Sequence, residues 1–148
     1  MPTRTHQIYV SASVEAVFDA IADVASHDRW QEGLLRSECQ GDPRVLGARG
    51  AEVRRLFGRE VRFPWEITVY EPSRRWGFRA LGGPIRPQAV LDLVPEGDGT
   101  RINSALTIPG PLGWLAIDPL FRQQKKNYHA LKQLLETTAS AVESGIRV

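Results

Sequence analysis

The sequence predicts an α+β fold: a curved, seven-stranded antiparallel sheet wrapped round a long C-terminal helix, with one or two short helices after the first strand. Three observations carry this. The middle of the chain divides into six short segments of alternating polarity, separated by turns rich in Gly, Pro and Asp. The stretches on either side change from a two-residue period to the helical period. Among the strands, one parity is repeatedly apolar and the other charged, so the sheet has one face to bury and one to wet.

Each element follows in order. Thr5 to Ser11 alternates, with His6, Ile8 and Val10 on one side and Gln7 and Tyr9 on the other, and reads as a half-buried strand. Val14, Val17, Phe18, Ile21 and Ala25 then fall on one helical stripe. Ser11 or Ser13 caps this helix, and Glu15 sits in the first turn, where the helix dipole favours a carboxylate. Ser26 to Trp30 breaks the stripe and reads as a short second helix. The six further strands are Leu34 to Gln40, Gly50 to Phe57, Glu60 to Tyr70, Arg75 to Ala80, Pro87 to Val94 and Thr100 to Ile108.

The dry parity holds Phe63, Trp65, Ile67 and Val69; Trp76, Phe78 and Ala80; Ala89, Leu91 and Leu93; and Ile102, Leu106 and Ile108. Arg62, Glu66, Thr68, Arg75, Arg79, Arg101 and Asn103 fall on the other face. The last helix is predicted over Pro119 to Ser140, with Asp118 as N-cap and Pro119 at the first helical position. Leu112 to Ile117 forms either a preceding turn or the same helix kinked at Pro119. Phe121, Tyr128, Leu131 and Leu135 make its stripe, flanked by Leu120, Gln124 and Leu134. Gly145 to Val148 reads as a loose tail.

The chain has 148 residues, 42% of them hydrophobic, and is read as one domain spanning residues 1–148. A domain of this size buries enough surface to fold without a metal or disulfide. The formal charge of +2 is too balanced to argue for a nucleic-acid binder. The basic excess is local: ten Arg against four Glu between Pro43 and Leu91, mostly on the wet strand face. Cys39 is the only cysteine, which excludes an internal disulfide. No apolar h-region and no run approaching 18 apolar residues is present, so a cytoplasmic protein without a transmembrane segment is expected. His6, His27 and His129 match no metal-site spacing, and neither a metal nor a cofactor is expected.

Particular residues carry a resemblance to a known family. The opening Ile8 to Phe18 (IYVSASVEAVF) is followed by Asp23 and Trp30, Leu46-Gly47 before the third strand, and Val69-Tyr70-Glu71-Pro72 after the fourth. Gly99-Thr100-Arg101 opens the seventh strand, and Leu131 to Glu136 (LKQLLE) closes the pattern. With these marks the chain resembles the START-type helix-grip superfamily (SRPBCC), in its bacterial polyketide cyclase/dehydrase-like branch. It departs from that pattern at Pro109-Gly110-Pro111 and Pro119. The resemblance implies a cavity between sheet and C-terminal helix that takes lipids, polyketides or similar apolar molecules.

The residues expected to line such a cavity are Trp30, Arg55, Phe63, Trp65, Trp76, Phe78, Ser104, Phe121, Gln124 and Tyr128. Arg55, Ser104 and Gln124 are polar residues read as sharing the dry parity or stripe, so each needs a partner or a ligand group. The leading expectation is a binder of an apolar small molecule, acting as a monomer or homodimer with no nucleic-acid partner. The first alternative is a cyclase or dehydratase. Moving protons beside a carbonyl needs an acid/base pair, and the candidates are Asp28, Arg55 and Tyr128. The second alternative is an interaction module that presents the Arg-rich outer face to a protein or RNA.

Overall fold

The computed structural model describes the backbone of residues 1–56 and 58–143 and the side chains of residues 1–55 and 58–138. The readings made for Phe57 and for Gly145 to Val148 lie outside these residues. Strand β1 (Thr3–Val10) leads into helix α1 (Val14–Ala22) and a short 3-10 helix (Val24–Arg29). Six strands follow: β2 (Leu34–Gln40), β3 (Arg49–Leu56), β4 (Arg59–Glu71), β5 (Arg75–Ala80), β6 (Gln88–Glu96) and β7 (Gly99–Thr107). Helix α2 (Gly113–Glu143) closes the chain. The strands form one antiparallel sheet in the order β1-β7-β6-β5-β4-β3-β2, a meander whose last strand returns to pair with the first.

Local chemistry explains most boundaries. Ser13 caps α1, its hydroxyl accepting from the Ala16 N–H at 3.2 Å. The helix ends at Ala22, so Ala25 leaves the predicted stripe and lies exposed in the 3-10 helix. Helix α2 begins at Gly113, six residues before the predicted start, with Pro119 inside it. Proline removes the N–H that would bond the Leu115 carbonyl, but Leu115 and Pro119 are both exposed, so water takes that bond. The 31 residues of α2 span about 46 Å.

The inner face of the sheet is apolar. Ile8, Val10, Trp65, Ile67, Trp76, Ala89, Leu91, Leu93 and Ile102 pack with Val17, Phe18 and Ile21 of α1 and with Tyr128 and Leu131 of α2 in one cluster. Leu106, Ile108 and Ile117 form a second cluster at the start of α2, with Phe121 packed against it. Two polar contacts clamp the other end of α2 to the end of β1. Lys132 donates to the Tyr9 carbonyl at 2.6 Å, and Glu136 accepts from the Ser11 N–H at 2.8 Å.

Two strands depart from the predicted parity. The β4–β5 register shifts between Ile67 and Val69. This bulge turns Val69 outward opposite Gly77 and brings Tyr70 inward opposite Trp76, where it packs edge-on to Phe18. In β3 the whole assignment reverses. Gly50 lies opposite Trp65 and Glu52 opposite Phe63, so Gly50, Glu52 and Arg54 face inward. Ala51, Val53 and Arg55 face outward, among Arg36, Glu38 and Arg62. Only glycine fits at position 50, because a Cβ there would overlap the Glu38 backbone carbonyl of β2 and stand 2.6 Å from the Trp65 ring.

The outer face carries an ionic lattice. Glu66 meets Arg49 at 2.8 Å and Arg79 at 3.0 Å, Arg62 meets Glu38 at 3.3 Å, and Arg75 meets Asp92 at 2.6 Å. These pairs are solvent-exposed and each adds little stability, but they neutralise much of the local Arg excess.

Leu131→Ala should lower stability by about 2–5 kcal/mol, because Leu131 is fully buried beneath α2. Gly50→Ala should be destabilising because it forces both the β2 backbone at Glu38 and the Trp65 ring to move, whereas Ala51→Ser on the outer side should be milder. Denaturant midpoints of the three variants test both statements.

Candidate functional site

Between the sheet and α2 runs a chain of aromatic contacts. Phe121 meets His6 edge-on at 6.3 Å, and His6 stacks on Tyr128 at 6.3 Å. Tyr128 stacks on Trp30 at 6.5 Å, and Trp30 meets His27 at 4.9 Å. His27 touches Trp76 at 5.9 Å, and Trp76 lies against Phe78 at 5.6 Å. Residues from β1, the 3-10 helix, β5 and α2 thus meet in one layer, each pair favourable by about 0.5–1.5 kcal/mol beyond simple burial.

This layer holds polar atoms that the protein leaves unsatisfied. The Nε1 atoms of Trp30 and Trp76, Nε2 of His6 and Oε1 of Gln124 are buried and have no hydrogen-bond partner among the described residues. Other polar groups there are paired. His27 Nε2 donates to the Ile21 carbonyl at 2.6 Å, which fixes the proton on that nitrogen in the neutral ring. The Ser104 hydroxyl donates to the His6 carbonyl at 3.4 Å. Asn127 Oδ1 accepts from Gln123 at 3.0 Å and from the Glu32 N–H at 3.4 Å.

Burial sets the protonation states. It lowers the pKa of His27, opposed by the hydrogen bond to Ile21. It lowers that of His6, with Lys125 and His129 acting in the same direction. It pushes the Tyr128 phenol well above its usual value, opposed by Ser104. Tyr128 is therefore a donor at neutral pH and not a base. Burial also raises the half-buried Cys39 thiol, which keeps it protonated and unreactive.

A cleft of about 270 Å³ opens beside the layer, lined by Asp28, Arg29, Trp30, Gln31 and Glu32 on one side and Lys126, Asn127 and Ala130 on the other. A second, larger depression of about 530 Å³ lies mainly on the outer face, around Thr5, Gln7, Arg75, Asp92 and Asn103, and it also touches His6 and Ser104.

The residues expected from sequence separate into three groups. Trp30, Trp76, Phe78 and Tyr128 belong to the aromatic layer, and Phe121 reaches it through His6. Ser104 and Gln124 lie beside it, Ser104 opposite His6 across the β1–β7 pair. Trp65 and Phe63 face inward further along β4, Trp65 beneath Gly50.

Arg55 is a correction. It is exposed on the outer face, because β3 presents the opposite parity to the one its apolar residues suggest. Ala51 and Val53 are small enough to be covered by the charged side chains around them, so their burial does not mark the inner face. Of the residues named for proton transfer, Asp28 and Arg55 are exposed while Tyr128 is buried.

The inward polar residues of β3 are Glu52 and Arg54, which sequence reasoning missed. Arg54 meets Glu52 at 2.9 Å and donates to Gln31 Oε1 at 2.5 Å, tying β3 to the segment after the 3-10 helix. The single signal in the sequence is a glycine, Gly50, within a strand that faces a tryptophan-bearing neighbour.

A sheet curved round one long helix with a short helical insert after β1 defines the helix-grip class. Solved proteins of the same fold include one from Mesorhizobium loti (TM-score 0.77, 17% identity, covering 93% of this chain and 98% of that one). Another, from Nitrosomonas europaea, has a TM-score of 0.77 and 15% identity, covering 91% of this chain and 94% of that one. A third, from Thermus thermophilus, has a TM-score of 0.69 and 23% identity over 95% and 99%. No curated protein matches the sequence. Residues 1–136 match the family described as polyketide cyclase / dehydrase and lipid transport, and the chain belongs to that family. Among the described residues, no helix is long and apolar enough to cross a membrane.

The histidine geometry sets a pH dependence. The pKa of His27 is lower in the folded chain than its ordinary 6.5, so the unfolded chain takes up the proton first. The stability that the neutral ring contributes is complete above about pH 6.5 and is lost as the pH falls below that value. Denaturant titrations from pH 7.5 downward should show this loss, and His27→Leu should flatten the slope. His6, lowered by the same cause, should account for part of the slope that remains.

Proposed function

We propose that the chain binds a largely apolar small molecule bearing oxygen atoms, lipid-like or polyketide-like, between the sheet and α2. One observation carries this reading: the unpartnered, buried polar atoms of His6, Trp30 and Trp76 within one aromatic layer and of Gln124 beside it. Each such atom costs about 1–3 kcal/mol if nothing meets it. An indole N–H only donates, so Trp30 and Trp76 ask for an acceptor such as a carbonyl oxygen. The Gln124 oxygen only accepts, so it asks for a hydroxyl or similar donor.

The two indoles flank the same His27 ring, which spaces their N–H groups along one guest. The aromatic faces of Phe78 and Tyr128 supply the apolar contact, and Ser104 adds a hydroxyl near Tyr128. The cleft beside Trp30 and Asn127 reaches the edge of the layer, where only a swing of the Trp30 ring, which stacks on Tyr128, would open a route inward. The family description, which joins polyketide chemistry with lipid transport, is consistent with such a guest. Binding is favoured over catalysis because the residues named for proton transfer do not meet.

Native mass spectrometry of protein recovered from cells should show a bound mass that denaturation releases. Fatty acids or aromatic polyketides should quench Trp fluorescence with little salt dependence, since apolar burial drives the association. Trp76→Phe keeps a ring and removes one N–H. It should weaken an oxygen-bearing guest about 5- to 10-fold while leaving a hydrocarbon probe within about twofold. Absence of any bound mass, together with no quenching by either ligand class, would overturn the reading.

A further inference from the structure

Trp30, Trp65 and Trp76 are 5–6% exposed, but Trp114 is 65% exposed. It lies in the first turn of α2 beside Leu115, 78% exposed, and just after Leu112, 42% exposed. Single exposed apolar residues are ordinary, but a cluster that includes a tryptophan is not. The strand register places more apolar surface at the same end. Gln88 pairs with Thr107, so the segment before β6 and the segment after β7 leave the sheet together. The first of these carries Ile85, 37% exposed.

Charge at this end is predominantly basic. Residues 81–87 and 108–117 contain no carboxylate and include Arg86. The next turns of α2 add Arg122, Lys125 and Lys126, and Asp118 between them is paired with Arg4 at 3.2 Å. Leu115, Arg122 and Lys126 stand 7 and 11 residues apart on the exposed side of α2. The opposite end of the sheet, where β2–β3, β4–β5 and β6–β7 turn, mixes both signs: Asp42, Glu71, Glu96 and Asp98 stand with Arg44 and Arg74, and Glu71 and Glu96 are paired with Arg75 and Arg101.

We propose that the end of the molecule formed by the start of α2 docks on an anionic lipid bilayer. Trp114 and Leu115 enter the interface, where an amphipathic indole is favoured, and Arg122 and Lys126 meet the headgroups. A bilayer suits this surface because it supplies both an apolar layer and a negative plane, and needs no matching hydrogen-bond pattern. The proposal is independent of the interior guest, since vesicles alone test it.

Vesicles of phosphatidylcholine, with and without about a third phosphatidylglycerol, provide the test, read by co-sedimentation and Trp emission. Because the other three tryptophans are buried, a blue shift and loss of acrylamide quenching report Trp114. Both should appear with the anionic vesicles and weaken at high salt. The double variant Trp114→Ala/Leu115→Ala should abolish the shift and weaken sedimentation at least about tenfold, while its unfolding midpoint stays near that of the parent. Arg122→Ala and Lys126→Ala should each weaken it about fivefold. No partition onto anionic vesicles, or partition unchanged in the double variant, would overturn the proposal. So would concentration-dependent dimerisation that shields Trp114 without lipid, because a second copy would then be the occupant.

Discussion

The inner face of the sheet must be covered, and among the described residues only one helix is long enough to cover it. Everything else in the structure answers to that constraint. α2 lies across β1 and β7, with Leu131 and Tyr128 buried and Lys132 and Glu136 gripping the end of β1. Because β7 pairs with β1, fixing the helix on the first strand also fixes the last. The shorter α1 fills the remaining width with Val17, Phe18 and Ile21. A sheet this curved cannot be matched by one straight cylinder along its whole length, and aromatic rings from four elements fill the difference.

Those rings make the interior unusual in its polarity. A layer of hydrocarbon alone would fold well and have no use for an indole N–H, an imidazole or an amide oxygen. Here those groups are present, and the neutral states of His6, His27 and Tyr128 are the ones that burial favours. An interior of neutral donors and acceptors among aromatic faces recognises a guest by shape and by a few oxygen atoms. The charged pair that faces inward, Glu52 and Arg54, ties β3 to the segment after the 3-10 helix and stands near enough to His27 to act on its pKa in opposite directions.

The two ends of the molecule differ for a related reason. Turns between antiparallel strands alternate between ends, so turn composition is sorted in space by topology alone. The turns at one end hold Asp42, Glu71, Glu96 and Asp98 together with Arg44 and Arg74. The Pro-Gly-Pro-Leu-Gly-Trp-Leu run, which breaks the last strand and starts α2, falls at the other. The helix that closes the interior therefore begins at the apolar, basic end and runs toward the end where carboxylates and arginines are paired.

The element order, the inner faces of β1, β5, β6 and β7, and the stripe of α2 were legible in the sequence, because each rests on a local period that packing did not alter. The inward placement of Trp76, Phe78 and Tyr128 was legible for the same reason, whereas Trp30 follows a break in the helical stripe and no period places it. Four features were not. Val69 turned outward because a bulge at one residue reverses every later side chain, and a bulge leaves no mark in polarity alternation. Arg55 was misplaced because small residues on an outer face can be buried by long charged neighbours, while a glycine on the inner face hides its own parity. The start of α2 came six residues early because an exposed proline costs a helix less when water can bond the freed carbonyl. The unpartnered polar atoms exist only once four separate elements have closed over one another. Local periodicity is a property of neighbouring residues and is written in the chain, whereas strand register and the pairing of buried groups depend on residues up to a hundred positions away and are decided only when the sheet closes.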